Sequence, residues 1–156
     1  MRTELISEDS ISESIRIMLA YKNMSGAQLA EIIKMNIDTY YSKIRRGNFS
    51  IKELDKISAA LNATYYFILT HGSDEQSASN RQDEQIKVRP ENPSEAIRVL
   101  CVKKKTTTIP LAKAAGMSSS SLYSKLKRNV FSTEDITALS RGLGYESKIV
   151  FELNIV

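Results

Sequence analysis

Apolar residues recur along the first sixty positions with a helical period. Ile11, Ile15, Met18 and Leu19 fall at i, i+4, i+7 and i+8, the spacing that gathers one helix face. Ser25 then predicts an N-cap for a short helix carrying Leu29, Ala30 and Ile33. After the tight connection Lys34-Met35-Asn36, Tyr40 and Ile44 mark the inward face of a third helix, which Gly47 ends. Ser50, with Glu53 three residues on, is a capping-box signature for a fourth helix carrying Leu54, Ile57 and Leu61. The period then changes. Residues 65–70 are dense in aromatic and β-branched side chains, which predicts a strand.

The same pattern returns 82 positions later. Ser12, Glu13, Ile15 and Arg16 match Ser94, Glu95, Ile97 and Arg98, and Leu29-Ala30 matches Leu111-Ala112. Tyr41-Ser42-Lys43 matches Tyr123-Ser124-Lys125, and Arg46, Phe49, Ser50, Ser58 and Leu61 match Arg128, Phe131, Ser132, Ser140 and Leu143. The repeat holds without a gap, so the chain is read as two copies of one domain of about 60 residues. The second copy carries Leu111, Ala112 and Ala115, then Leu122 and Leu126, then Ile136, Leu139 and Leu143 on its inward faces. Gly116 suits the left-handed turn between its second and third helices, a place that Lys34 fills at some strain in the first copy. Residues 148–156 predict a second terminal strand. Each strand needs a partner for its edges, so the two are expected to pair with each other or with those of another chain.

Between the copies, His71 to Gln85 contains no large apolar residue and offers too little burial to offset ordering entropy. The expected organisation is therefore a first domain over 1–70, a flexible polar linker over 71–92 and a second domain over 93–156, mainly α. Charge is unevenly spread. Lys and Arg outnumber Asp and Glu nine to eight in residues 1–70 and ten to five in residues 92–156. The overall +4 permits a polyanionic partner. No apolar run reaches the ~18 residues of a membrane span, and the N-terminal stretch is acidic and polar. One cysteine, Cys101, and one histidine, His71, can form neither an internal disulfide nor a Cys/His metal cluster. With no glycine-rich phosphate loop either, the expectation is a cytoplasmic protein that is not an enzyme and needs no cofactor. Cys101, Met35 and Met117 are expected in the core, and His71 in solvent.

A short helix, a tight turn and a second helix, flanked by two more, is a helix-turn-helix layout. The stretch Gly116 to Arg128, preceded by Leu111-Ala112 and followed by Phe131-Ser132, resembles the lambda-repressor-like DNA-binding domains of the Cro/C1 or XRE type. The first copy is similar over Leu29 to Leu61 and departs from the pattern at Lys34. The resemblance covers residues 11–70 and 93–156 and implies that the third helix of each copy enters the major groove of duplex DNA.

On that reading, Ser119, Ser120, Tyr123, Ser124 and Lys127 read base edges in the second copy, and Ile37, Asp38, Thr39, Tyr41 and Ser42 in the first. Serine hydroxyls donate or accept at close range, lysine reads guanine or a phosphate, and Asp38 accepts from a cytosine amino group if it faces a base but repels if it faces a phosphate. Phosphates fall to Thr107, Thr108, Lys103, Lys104, Lys105, Lys125 and Arg128 in the second copy, and to Ser25, Lys43, Arg45 and Arg46 in the first. The second copy, free of an acid on this face, is expected to bind DNA more strongly. The function implied is a transcriptional regulator, a repressor occupying its operator. The assembly is a homodimer or an intrachain pseudo-dimer joined through the C-terminal strands. The alternative is a protein-interaction module of phage inhibitor or antirepressor type, which Lys34, Ile37 and Asp38 favour.

Overall fold

Four helices follow a short strand, β1 (Arg2–Ile6), and each begins at a residue that caps it. Ser10 accepts a hydrogen bond from the Glu13 N–H at the start of α1 (Ile11–Tyr21). Ser25 and Gln28 form a reciprocal capping box on α2 (Gly26–Ile32). Asn36 accepts from Asp38 N–H to open α3 (Ile37–Arg46), and Ser50 with Glu53 closes a second box on α4 (Ile51–Ala60). Strand β2 (Ala63–His71) follows. The computed structural model describes residues 2–71 and 85–155, so most of the expected linker lies outside the described residues. After them come β3 (Ile86–Val88), α5 (Pro93–Lys103), α6 (Thr108–Ala114), α7 (Ser119–Arg128), α8 (Thr133–Gly142) and β4 (Tyr145–Ile155).

Every helix of the second set begins and ends 82 residues after its counterpart. The left-handed backbone positions obey the same offset: Asn23 with Lys105, Lys34 with Gly116, Gly47 with Asn129 and Asn62 with Gly144. A buried hydroxyl strut recurs too. Ser12 Oγ donates to the Ile44 carbonyl at 2.5 Å, tying α1 to α3, and Ser94 Oγ donates to the Leu126 carbonyl at 2.8 Å, tying α5 to α7. Volume is compensated where side chains differ. Gly26 in α2 lies against the Tyr40 ring, 3.0 Å from where a Cβ would sit. In the second copy the smaller Leu122 replaces Tyr40, and Thr108 takes the glycine's place.

Among the described residues the mainly α expectation holds in outline, with a sheet added: eight helices and one four-stranded antiparallel sheet, in the order β1-β4-β2-β3. Strands β1 and β3 escaped the periodicity reading because each buries a single residue, Ile6 or Val88. Edge strands this short carry no alternation to detect; the ladder to a partner makes them. Ile86–Val88, expected in the linker, pairs with Phe67–Leu69. His71, expected in solvent, ends β2 and stacks 4.9 Å from the Tyr145 ring. Met35 and Met117 are half-buried rather than core, because each sits in the turn between helices, with its backbone N–H bonded to the Ala30 or Ala112 carbonyl. Cys101 is buried as expected, at the position of Leu19, and burial pushes its thiol pKa up.

The chain divides into two units, and the limits fall inside strands. Unit 1 is Met1–Tyr66 with Ile149–Val156; unit 2 is Phe67–Lys148. In unit 1, α1–α4 pack around Ile15, Met18, Leu29, Phe49 and Leu54, and residues 149–155 of β4 lie between β1 and the start of β2. Asn154 N–H donates to the Asn62 carbonyl at 3.1 Å, and the Tyr65 and Phe151 rings lie 5.8 Å apart. In unit 2, α5–α8 pack around Ile97, Leu111, Leu122, Phe131 and Leu139, with residues 67–71 of β2 beside β3.

The shared αL turn gives a reciprocal expectation. Lys34 holds φ +57° where Gly116 holds +74°, and a Cβ on Gly116 would meet nothing within 4 Å. A left-handed non-glycine costs about 1–2 kcal/mol, and glycine returns about half of that as unfolded-state entropy. Lys34→Gly therefore stabilises unit 1 by about 0.5–1 kcal/mol and Gly116→Lys destabilises unit 2 by as much, as urea midpoints will show.

Candidate nucleic-acid interface

In α7 the buried pair Leu122 and Leu126 sets which way the helix faces. Spaced i, i+4, they anchor one side and turn the other outward. Ser119, Ser120, Tyr123, Lys127 and Arg128 are exposed, and Ser124 is half-buried. Tyr123 is 65% exposed. Ser118 caps the helix by accepting from Ser121 N–H, and its hydroxyl also lies 3.4 Å from that of Ser120. The helix holds no Asp or Glu, and its last turn holds Lys125, Lys127 and Arg128.

The phosphate candidates of this copy divide by what already holds them. Lys125 is committed: its ammonium lies 2.9 Å from Asp135, the acid of the Ser132 capping box. Lys104 is half-buried, its ammonium 4.7 Å above the Tyr145 ring, a cation–π placement. Lys103 and Lys105 are exposed at the end of α5 and just beyond it. Thr107 stands at the N-cap of α6 without making a side-chain cap bond, and Thr108 is half-buried behind it. These residues make up the α5–α6 corner, distinct from the five exposed side chains of α7.

In α3 the anchors are Tyr40 and Ile44. Ile37, Asp38, Thr39, Tyr41, Arg45 and Arg46 are exposed; Ser42 and Lys43 are half-buried. Tyr41 packs edge-on against Tyr40 at 5.4 Å between ring centres, so its ring is braced while one side stays open. Burial raises the Tyr40 hydroxyl pKa, with Tyr41 adding to the effect. Ser25 is committed to the α2 capping box. An open polar groove is lined by Asp38, Thr39, Ser42, Lys43, Arg46 and Asn48. The sequence reading missed Asn48, which lies past the end of α3, where helical spacing carries no information.

Lys43 has a second task. Its ammonium lies 3.0 Å from Glu53, whose carboxylate also accepts from Ser50 N–H at 2.8 Å. Burial alone raises the Glu53 pKa, but the Ser50 N–H and the Lys43 ammonium outweigh it and hold the carboxyl below its ordinary value. A carboxyl depressed in the folded state adds stability above its unfolded pKa, and that contribution is lost as pH falls through the folded value. Unit 1 of Glu53→Gln is therefore expected to lose stability at neutral pH relative to the parent. The two should converge in melting temperature as the buffer is taken below the ordinary glutamate range.

Among the described residues no group of three or more His, Cys, Asp or Glu is placed to hold a metal ion, and no helix is long and apolar enough to cross a membrane. Neither a protein-family model, nor a curated protein, nor a solved structure matches the chain.

Proposed function

We propose that the protein is a sequence-specific double-stranded-DNA-binding transcriptional regulator, a cytoplasmic repressor built from two tandem helix-turn-helix domains of the lambda-repressor-like type. The observation that carries this reading is the exposed face of α7: small hydroxyls at Ser119 and Ser120, then Tyr123, then Lys127 and Arg128, without an acid. A helix with small residues in its first turn can approach base edges closely. Bases in its last turn and at the α5–α6 corner then neutralise phosphates on either side. Repression follows from occupancy of the operator alone. The assembly proposed with it is a homodimer or an intrachain pseudo-dimer through the C-terminal strands.

The test is a titration of the duplex upstream of the protein's own gene at ~50 and ~200 mM salt. With about six phosphate contacts, affinity falls by about three orders of magnitude across that range. A flat titration at the lower salt overturns the reading. A protein-interaction module is the second reading, favoured by the exposed apolar side chains Ile32 and Ile37, the latter next to Asp38 in sequence. It requires a protein partner that survives nuclease treatment and is lost on Ile37→Asp.

A further inference from the structure

Helices α3 and α7 start and stop at equivalent positions, carry equivalent caps at Asn36 and Ser118, and bury equivalent anchors. Their outward residues therefore correspond one for one. The correspondence divides sharply along the helix. The last turns agree in character: Ser42 with Ser124, Arg45 with Lys127, Arg46 with Arg128, and Lys43 with Lys125, each of the last two held by a capping-box acid. The first turns do not: Ile37 against Ser119, Asp38 against Ser120, Thr39 against Ser121. If these helices dock as proposed above, phosphate contacts position and first-turn contacts specify. The two copies then share a grip and differ in what they read.

We infer that the DNA site is not a palindrome: one chain reads two unlike half-sites, and Asp38 selects cytosine in the half bound by unit 1. This rests on the DNA-binding reading and deepens it. Asp38 is exposed at the rim of the polar groove, and its carboxylate pairs with no described residue. Of the two bases that line the groove, Lys43 has its charge taken by Glu53, and Arg46 is exposed at the end of the helix, with no ion pair to Asp38. A carboxylate only accepts hydrogen bonds, so at a base edge it demands a donor. Cytosine offers its N4 amino group in the major groove; adenine also offers an amino group, but beside the N7 acceptor, which repels a carboxylate. Serine at the equivalent place in unit 2 donates or accepts and makes no such demand. A homodimer of one-copy regulators presents one helix twice and calls for an inverted repeat. A chain with two different first turns does not.

Selection of bound duplexes from a randomised pool tests this, using the full chain and its Asp38→Ser and Asp38→Asn variants. The expected product is a pair of unlike half-sites, one holding a cytosine favoured about tenfold or more over other bases. Asp38→Ser levels that preference to under about twofold, Asp38→Asn moves it to adenine, whose N6 and N7 suit an amide, and the other half-site keeps its sequence in both. A role limited to the α3 dipole lowers the melting temperature slightly and leaves the selected sequence alone. An inverted repeat with equal halves, or a cytosine that survives Asp38→Ser, overturns the inference while leaving DNA binding standing. Failure to enrich any sequence overturns the regulator reading and the inference with it.

Discussion

Cutting the chain after Lys148 unfolds the helices of residues 11–60, although every one of them lies far upstream of the cut. The lost segment supplies Ile149, Val150, Phe151 and Leu153 to the interior, the last two with no exposed surface. It also supplies the whole ladder of β1, from Arg2 opposite Ile155 to Ile6 opposite Phe151. The Lys22 ammonium donates to the Asn154 carbonyl at 2.7 Å, and Ser7 Oγ to the Ile149 carbonyl at 3.2 Å. Burying each apolar side chain contributes at most about 1.5–3 kcal/mol, so four together contribute about 6–12. That matches the ~5–15 kcal/mol net stability of a whole domain. Amide exchange in α1–α4 should lose its protection in the truncated chain, and a fragment ending at residue 70 should show no cooperative melting. Protected α1–α4 amides in either would refute the division into units. Phe151→Ala is the milder form and should cost unit 1 about 3–5 kcal/mol.

The double variant Ser120→Glu/Lys127→Glu should bind duplex DNA at least about 100-fold more weakly than the parent. Both side chains are exposed on α7, so neither change opens a cavity or strands a buried group. A good base contact is worth about 1–3 kcal/mol, and every 1.4 kcal/mol is tenfold. Two lost contacts therefore account for the drop before repulsion is added. Repulsion of the new carboxylates from phosphates deepens it at low salt and fades as salt rises. Helical signal and melting temperature should stay at the parent's values. Unchanged affinity in a folded double variant would remove α7 from the interface.

The helices were legible because each carries its own punctuation. Ser25, Ser50 and Gly47 mark ends, and anchors such as Leu122 and Leu126 repeat at helical spacing. The exposed face of α7 was legible for the same reason, since two buried leucines leave only one side to face out. The sheet was half legible. The strand-rich character of β2 and β4 lies in their composition, whereas β1 and β3 exist through pairing with residues far along the chain. The unit limits at 66/67 and 148/149 were invisible because a strand that serves two cores looks, locally, like any other strand. Site residues already engaged elsewhere were equally hidden. Lys43 and Glu53, or Lys125 and Asp135, stand ten positions apart on successive helices, a spacing that no periodicity announces.

The crossing of β4 into the first unit has a consequence for biosynthesis. Helices α1–α4 are polymerised with caps and anchors in place, yet the side chains that seal their interior follow only after the whole of unit 2 has been made. An N-terminal domain ordinarily folds while the rest is still being made. Here the first copy must wait, exposed to chaperones and proteases, until residues 149–155 clear the exit tunnel, so an interrupted translation product yields no half-working molecule.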